Sequence, residues 1–346
     1  MTPMMWSIFI TSISTSTIIT MSSHHWLLAW LGLELNTLSI LPIIMKTNHP
    51  RATEATTKYF ITQTTAAAMM LFASTLNAWQ TGQWSIMHMS TGPATMVLIL
   101  ALMTKLGLTP VHFWYPEVLQ GTTMNTAMLV STWQKMAPLT LLYLTMNHLP
   151  NHIITTIGLL SVLIGGLMGL NQTQTRKILA FSSIAHMGWL SLTLTMNPHL
   201  TTLTMLVYMT MTSALFSMLN TTTAKTLKDL GKINTPAPML VAMTMITLMS
   251  LGGLPPLTGF MPKLLILKTL TLMDLTTLSI TLALASLPSL FFYIRMTYLL
   301  VLTTPPNTAP TEHKWRLTPT HPKTLIPMIT LSTLLLPLTP VFYNTL

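Results

Sequence analysis

Residues 94–121 read ATMVLILALMTKLGLTPVHFWYPEVLQG. An apolar run carries a lysine, Lys105, deep within it. Just beyond, Gly107 and Pro110 interrupt the run. Glycine readily leaves the helical conformation, and proline cannot continue a helix. A membrane tolerates such a break only where neighbouring protein or a wet cavity satisfies the freed backbone groups. A charge at that depth normally faces a bundle interior or a water-filled path. The segment therefore reads as a broken transmembrane helix, over 94–113. A second segment, 237–273, has the same character. It is too long for one straight span, is interrupted by Gly252, Gly253, Pro255, Pro256 and Gly259, and carries Lys263 after the interruption.

The rest of the chain agrees. Only 6% of its 346 residues are charged and 50% are apolar, against about 25% charged in an ordinary soluble domain. Mean hydropathy is +0.59. Threonine is abundant, and its hydroxyl can be absorbed by the preceding helical turn. The composition excludes a soluble globular enzyme, a disordered chain and a disulfide scaffold. It points to an all-α polytopic membrane protein. The formal net charge is +10, yet the basic residues stand as ones and twos between apolar runs. That is the pattern of cationic loops flanking spans, and no nucleic-acid partner is expected. With no cysteine in the chain, disulfides, iron–sulfur ligation and thiolate zinc sites are excluded. Met1–Ser22 lacks a cationic leader and reads as the first span.

Spans of about 20 residues fall near 3–21, 26–45, 58–77, 94–113, 122–146, 151–170, 178–195, 200–223, 237–273, 276–303 and 324–343, about eleven transmembrane helices. Loops 46–58, 171–177, 224–236 and 304–323 are net positive. Segment 114–121 reads as a short loop with only Glu117, and loops 22–25, 78–93, 147–150 and 196–199 carry no Lys, Arg, Asp or Glu. The positive-inside rule then places the N-terminus inside and the C-terminus outside. Spans one to five and six to ten share one shape, each with a broken fourth member, although residue identities reveal no convincing repeat. Broken spans at corresponding positions of two halves mark inverted repeats. The expectation is one transmembrane domain, 1–346, made of two inverted five-helix repeats (about 1–150 and 151–303) and an extra C-terminal helix (about 324–343). Thr303–Lys323, rich in Thr and Pro, reads as a surface loop.

Most charges lie in loops, so the exceptions carry information. Glu34 lies near the middle of the second span, Lys105 near the middle of the fourth, Lys135 in the middle of the fifth, and Lys263 follows the second break. One carboxylate and three lysines form a proton-relay set, because lysine, unlike arginine, changes protonation readily when desolvated. The Lys105 ammonium is placed to donate to backbone carbonyls freed by its break. His186 also falls mid-span, and His112 follows the first break beside Phe113, Trp114 and Tyr115. For both, proton conduction and simple packing stay open. Lys268, Asp274 and Arg295 lie nearer span ends and read as interfacial anchors. His24 and His25 are adjacent and cannot chelate one metal well. No phosphate loop, dinucleotide fingerprint or nucleophile elbow is present. The 30 methionines read as packing filler. No motif binds a redox cofactor or a metal on this chain.

Five stretches carry a resemblance: HWLLAWLGLELNTLSILPII from His25, HPRATEATTKYFITQT from His49, KLGLTPVHFWYPEVLQG from Lys105, GLNQTQTRKILAFSSIAHMGW from Gly169 and GLPPLTGFMPK from Gly253. Together they closely resemble the subunit 2 family of mitochondrial NADH:ubiquinone oxidoreductase, respiratory complex I, in its vertebrate form, over essentially the whole chain. The resemblance implies an antiporter-like fold and a multi-pass location in the mitochondrial inner membrane, with the N-terminus on the matrix side and the C-terminus on the intermembrane-space side. It maps the family's mid-membrane Glu onto Glu34, its broken-helix Lys onto Lys105, the next helix's Lys onto Lys135 and the second broken helix's Lys onto Lys263. Relatives usually have Phe where Val111 stands and Trp where Leu264 stands.

The implied role is one proton pathway of the membrane arm. NADH, FMN, iron–sulfur clusters and ubiquinone would be bound by other subunits. The implied partners are membrane lipids and other membrane-arm subunits, including a neighbouring antiporter-like subunit and a small multi-helix subunit. In that reading Glu34 favours the charged Lys105, and the proton passes along the mid-membrane axis through Lys135 and Lys263 by way of water. Two rival readings are a structural spacer that transmits coupling to neighbouring subunits and a free-standing cation/proton antiporter.

Overall fold

The computed structural model describes residues 3–46, 49–89, 92–231, 238–302, 322 and 324–341. Among them the chain is helical, without a strand. It divides into two compact units, Met1–Gly158 and Leu159–Leu346.

Unit 1 holds α1 (Pro3–Ser22), α2 (Trp26–Met45), α3 (Pro50–Thr81), α4 (Gly92–Leu106), α5 (Trp114–Gly121), α6 (Met124–Ser131) and α7 (Met136–Thr145). The unit boundary falls within α8 (Asn151–Gly169). α2 packs on α1 and α3, α3 on α4 and α5, and α7 on α1 and α4. Unit 2 holds α9 (Thr175–Met196), α10 (Pro198–Thr222), the short α11 (Leu227–Leu230), α12 (Pro238–Gly252), α13 (Phe260–Leu272), α14 (Thr276–Val301) and α15 (Leu325–Leu334). Its centre is α10, which touches α9, α12, α13 and α15. Among the described residues six helices, α1, α2, α8, α9, α10 and α14, are long and apolar enough to cross a membrane.

Both expected breaks are present, and they are built alike. α4 ends on Gly107 at φ +72° and α12 on Gly253 at φ +82°, the left-handed region that a side chain disfavours. The amide of Gly107 donates to Thr104 O (3.2 Å) and that of Leu108 to Met103 O (3.0 Å). The amide of Gly253 donates to Ser250 O (3.0 Å) and that of Leu254 to Met249 O (3.4 Å). Each pair is the double bond of a Schellman cap, which satisfies carbonyls that the helix leaves open. The next helix begins with an aromatic residue, Trp114 or Phe260, and carries proline as its third residue, Pro116 or Pro262. There the missing N–H has no intrahelical acceptor to lose. Thus Gly107-Leu108, Pro110 and Pro116 recur at the same spacing as Gly253-Leu254, Pro256 and Pro262. The two breaks share a residue pattern.

A second shared feature lies at the loops. In unit 1 the amide of Trp26 donates to Trp84 O (3.1 Å) and that of Ile86 to His24 O (3.0 Å). In unit 2 the amide of Thr175 donates to Lys225 O (3.2 Å) and that of Leu227 to Thr173 O (3.0 Å). In each case the start of one helix pairs with the loop after the helix that follows it.

Four expectations need correction. Segment 114–121 is the helix α5 rather than a loop: Trp114, Tyr115, Val118 and Leu119 are buried at helical spacing, and the charged Glu117 alone of its first turn is exposed. The third helix begins at Pro50, eight residues before the expected 58; His49 caps it, its Nδ1 accepting from the Arg51 amide at 3.2 Å. Span 122–146 is interrupted at Thr132 (φ −111°, ψ −72°), and a 3₁₀ turn, Trp133–Lys135, joins α6 to α7. Pro138, third residue of α7, accounts for that interruption: in a continuous helix it would leave the Gln134 carbonyl unpaired and clash with it. Span 324–343 is broken: the ten-residue α15 gives way to a 3₁₀ turn, Leu336–Leu338, where Pro337 stands, and helix resumes over 339–341; residues 342 and 343 lie outside the described residues. The expected loop Thr303–Lys323 lies outside them too, save Pro322.

Candidate functional site

The abundant hydroxyls lie where the sequence reading put them. Thr104 Oγ1 donates to Ala101 O (2.8 Å), Thr193 to Leu190 O (2.7 Å) and Thr247 to Thr244 O (3.0 Å). Turned onto their own helices, they leave the charged and amide groups as the conspicuous polar features of the interior.

In unit 1 these gather at the first break. Lys105, in the last turn of α4, is 6% exposed, and Lys135, at the end of the 3₁₀ turn, is 2% exposed. Both line one small cavity of about 20 Å³, room for one water molecule. Tyr59 and Gln63 of α3, Tyr115 of α5, Asn36 and Thr37 of α2 and Gln134 also line it. Lys105 Nζ and Gln63 Nε2 are buried without a hydrogen-bond partner. A buried cation or amide in that state is costly unless water reaches it. The Lys135 ammonium lies over the Tyr115 ring, 4.7 Å from its centroid. The Gln134 amide donates to Asn36 Oδ1 at 2.9 Å.

Glu34 stands one turn from this group on α2. Thr37 Oγ1 donates to its Oε2 at 3.0 Å. Its carboxylate acts electrostatically on Lys105 and Tyr59, but the ion pairs among the described residues both belong to Lys58. The Glu34 side chain is half-buried, beside the exposed Leu31, Leu35 and Leu38. His112 is buried in the break, its Nδ1 3.2 Å from Pro110 O, and its Nε2 has no hydrogen-bond partner. It does not line the cavity.

The break residues themselves are held by aromatic groups. Trp114 Nε1 donates to Thr104 O at 3.2 Å, across the break. Trp114 meets Tyr59 and Tyr115 edge to face, at 5.9 and 5.5 Å. At the exposed edge of α5, Lys58 donates to Glu117 (2.6 Å) and to Glu54 (2.5 Å). These bonds, that to Glu117 foremost, push the Lys58 ammonium up to about 12. Lys58 in turn holds the Glu54 carboxyl below the usual carboxylate value.

Unit 2 holds Lys263 and His186. Lys263, in the first turn of α13, donates from Nζ to Gly252 O at 2.9 Å, the carbonyl at the end of α12. Lys105, the lysine expected to donate to carbonyls freed by its break, makes no such bond; it is Lys263 that does so, at the other break. His186 Nε2 lies 3.4 Å from Tyr293 Oη, and its ring lies 5.6 Å from that of Tyr208. Arg295 donates to Leu170 O at 2.8 Å, just past the end of α8. His25 caps α2, its Nδ1 accepting from the Leu27 amide at 3.2 Å.

Sequence reasoning singled out the charges but passed over Asn36, Gln63, Gln134 and Tyr115. The amides carried a signal: each lies within an apolar span, where a polar side chain is rare and usually buried in protein. Among the described residues no cluster of His, Asp or Glu fit to hold a metal ion occurs.

Residues 23–288 match the family model for the NADH:quinone oxidoreductase/Mrp antiporter transmembrane region, and residues 290–343 that for the NADH dehydrogenase subunit 2 C-terminus. NADH-ubiquinone oxidoreductase chain 2 of Varanus melinus is 49% identical over 98% of this chain and 99% of its own. That of Struthio camelus is 51% identical over 95% of each. Among solved structures, respiratory complex I from Thermus thermophilus with bound aureothin matches with a TM-score of 0.85 at 24% identity, over 99% of this chain and 78% of the matched one. The Mrp complex from Dietzia sp. DQ12-45-1b matches at 0.81 and 15%, over 98% and 77%; these two likenesses speak for the fold. On the family models and the two half-identical relatives, the chain belongs to the NADH:quinone oxidoreductase/Mrp antiporter transmembrane family, on the branch with the subunit 2 C-terminus.

Proposed function

We propose that the chain is an antiporter-like core subunit of the membrane arm of respiratory complex I, multi-pass in the mitochondrial inner membrane, and that it contributes to proton translocation coupled to electron transfer from NADH to ubiquinone. Relatives of that name match it over nearly their whole length. In this reading the chain serves a proton-translocating oxidoreductase as a subunit. NADH, FMN, iron–sulfur clusters and ubiquinone are held by other subunits.

The observation that carries the proton role is the cavity shared by Lys105 and Lys135, with the Lys105 ammonium buried and unpaired beside a broken helix. Lysine can give up and regain a proton there, and water in the cavity bridges to the second lysine. Glu34 is the opposite charge that tunes Lys105. Lys263, with His186, is the corresponding station of unit 2, and His112 is a further proton-carrying group at the first break.

We read the chain as one antiporter-like domain with eleven spans, two of its repeats inverted (about 1–150 and 151–303) and the last helix near 324–343. The matching breaks and matching loop pairs support the repeat. Five spans per repeat is an odd number, and the loop pair is uncharged in unit 1 but basic in unit 2. That supports inversion, with the N-terminus on the matrix side and the C-terminus on the intermembrane-space side. The half-buried Glu34 supports a neighbouring subunit on that face of α2, because lipid would not accept a carboxylate. We infer a small multi-helix subunit there, and an antiporter-like neighbour and lipids elsewhere.

Lys105→Met tests the relay. In complex I reconstituted into liposomes, the variant is expected to oxidise NADH and assemble, yet move fewer protons per NADH. An unchanged proton-to-electron ratio would overturn the relay and favour a structural spacer.

A further inference from the structure

A buried lysine that relays protons must be able to hold its charge at mid-membrane, where an ammonium is costly. A carboxylate in contact would hold that charge but would also trap it. Unit 1 offers Lys135 a different surface. Its Nζ stands over the face of the Tyr115 ring, 4.7 Å from the centroid, and both side chains line the cavity that Lys105 also lines. A cation within about 6 Å of an aromatic face is attracted by the ring quadrupole, and the attraction grows when both are desolvated. At a buried site that changes the charged-to-neutral ratio by about tenfold or more.

The ring is fixed by the break itself. Gly107 takes φ +72°, and a Cβ there would lie 3.3 Å from Tyr115 Cβ. The Tyr115 amide donates to His112 O at 3.1 Å, and the Trp114 indole stands edge-on to its ring. Lys135 is set opposite by a 3₁₀ turn that Gln134 ties to Asn36. Unit 2 provides a control. At the same place past its break stands Met261, and its helix α14 carries no lysine. Ring and lysine are present together in one unit and absent together in the other.

We propose that Tyr115 is a positioning residue of the proton path, whose aromatic face holds the charged form of Lys135. The proton leaves the Lys105 ammonium, crosses by water and joins the Lys135 amine. Tyr115 keeps its own proton throughout. This rests on the relay reading above.

The test compares Tyr115→Leu, Tyr115→Phe and Lys135→Met in reconstituted complex I, reading protons moved per NADH oxidised. Tyr115→Leu is expected to lose most of what Lys135→Met loses, Tyr115→Phe to recover most of it, and Tyr115→Leu to add nothing to Lys135→Met. Equal losses in the Phe and Leu variants would overturn the proposal by making the hydroxyl the active group. A full Leu effect in the Lys135→Met background would overturn it as well. Should Leu prevent assembly, Tyr115→Met fills the same space with a flexible chain; failure of both, with Phe intact, would reduce the ring to packing and overturn the proposal. If Lys135→Met itself leaves the ratio unchanged, the relay reading fails instead.

Discussion

The two broken helices end on the same cap, yet their lysines stand on opposite sides of it. Lys105 belongs to the helix before the break and has no hydrogen-bond partner for its ammonium. Lys263 belongs to the helix after the break, and its ammonium closes the carbonyl of Gly252. The first lysine is therefore free to exchange a proton without disturbing backbone. The second is also part of the structure that keeps α12 and α13 joined. One repeated backbone device thus stands beside an ammonium without a hydrogen-bond partner in one unit and a tethered one in the other.

The comparison can be broken at the glycines, where the largest effect is expected. Gly107→Ala combines left-handed strain of about 1–2 kcal/mol with crowding against Tyr115 Cβ, 3.3 Å away and unable to yield, for a total of about 2–4 kcal/mol. Gly253→Ala meets the end of the Lys263 side chain at 3.0 Å, which can swing aside by loosening its bond to Gly252 O, and should cost the strain and part of that bond, about 1–3 kcal/mol. The yield and thermal midpoint of assembled complex on native gels rank the two. Equal losses would mean that the breaks are not packed differently.

Next comes Lys263→Met. It leaves the buried Gly252 carbonyl unpaired and should cost about 1–3 kcal/mol in the same assay. Lys105→Met should cost little stability while lowering proton movement. A Lys105 variant as unstable as the Lys263 variant would erase the distinction. A smaller effect is expected at the Asn36–Gln134 bond, where Gln134→Leu strands one amide for about 1–2 kcal/mol, and the double replacement with Asn36→Leu recovers part of that.

The smallest effect is expected at the exposed Lys58. Glu54 is held below its usual 4.5 and Lys58 is raised from 10.5 to about 12. The carboxylate's contribution is present above 4.5 and fades as acid takes pH through the lowered value. The lysine's is complete below 10.5 and fades as pH rises through about 12. Between those limits Lys58→Met should leave assembly unchanged, because exposed pairs are screened. A marked loss of assembly near pH 7 would mean that α5 depends on this contact.

Much of this was legible in the sequence. Gly107, Pro110, Gly253 and Pro256 announced the breaks, because backbone freedom and a missing N–H act locally. Glu34, Lys105, Lys135 and Lys263 stood out because charge is rare at membrane depth. The interruption at Thr132 was not read, although Pro138 announces it. Proline alone is an ambiguous sign, since Pro42 and Pro288 sit inside the continuous helices α2 and α14. Its meaning depends on whether a neighbour accommodates the kink. The pairing of Tyr115 with Lys135 could not be read at all. The two are twenty positions apart, and only the turn of the chain at Gly107 sets the ring beneath the amine. Hydropathy also misjudged α5, whose charged Glu117 faces outward beside Lys58 rather than marking a loop.

The inward-turned hydroxyls have a consequence for how this sequence can drift. Thr65 and Thr281, on exposed faces of α3 and α14, spend their hydroxyls on Thr62 O and Leu278 O. A lipid chain on such a face would meet little more than a methyl group and a shielded oxygen. To the bilayer such a threonine differs little from valine or alanine, so exchanges among the three at these places should pass almost unselected. Two descendants of one ancestor could then differ widely in the letters of their outer helix faces while presenting the same surface to the membrane, and their real divergence would be written in the few residues around the breaks.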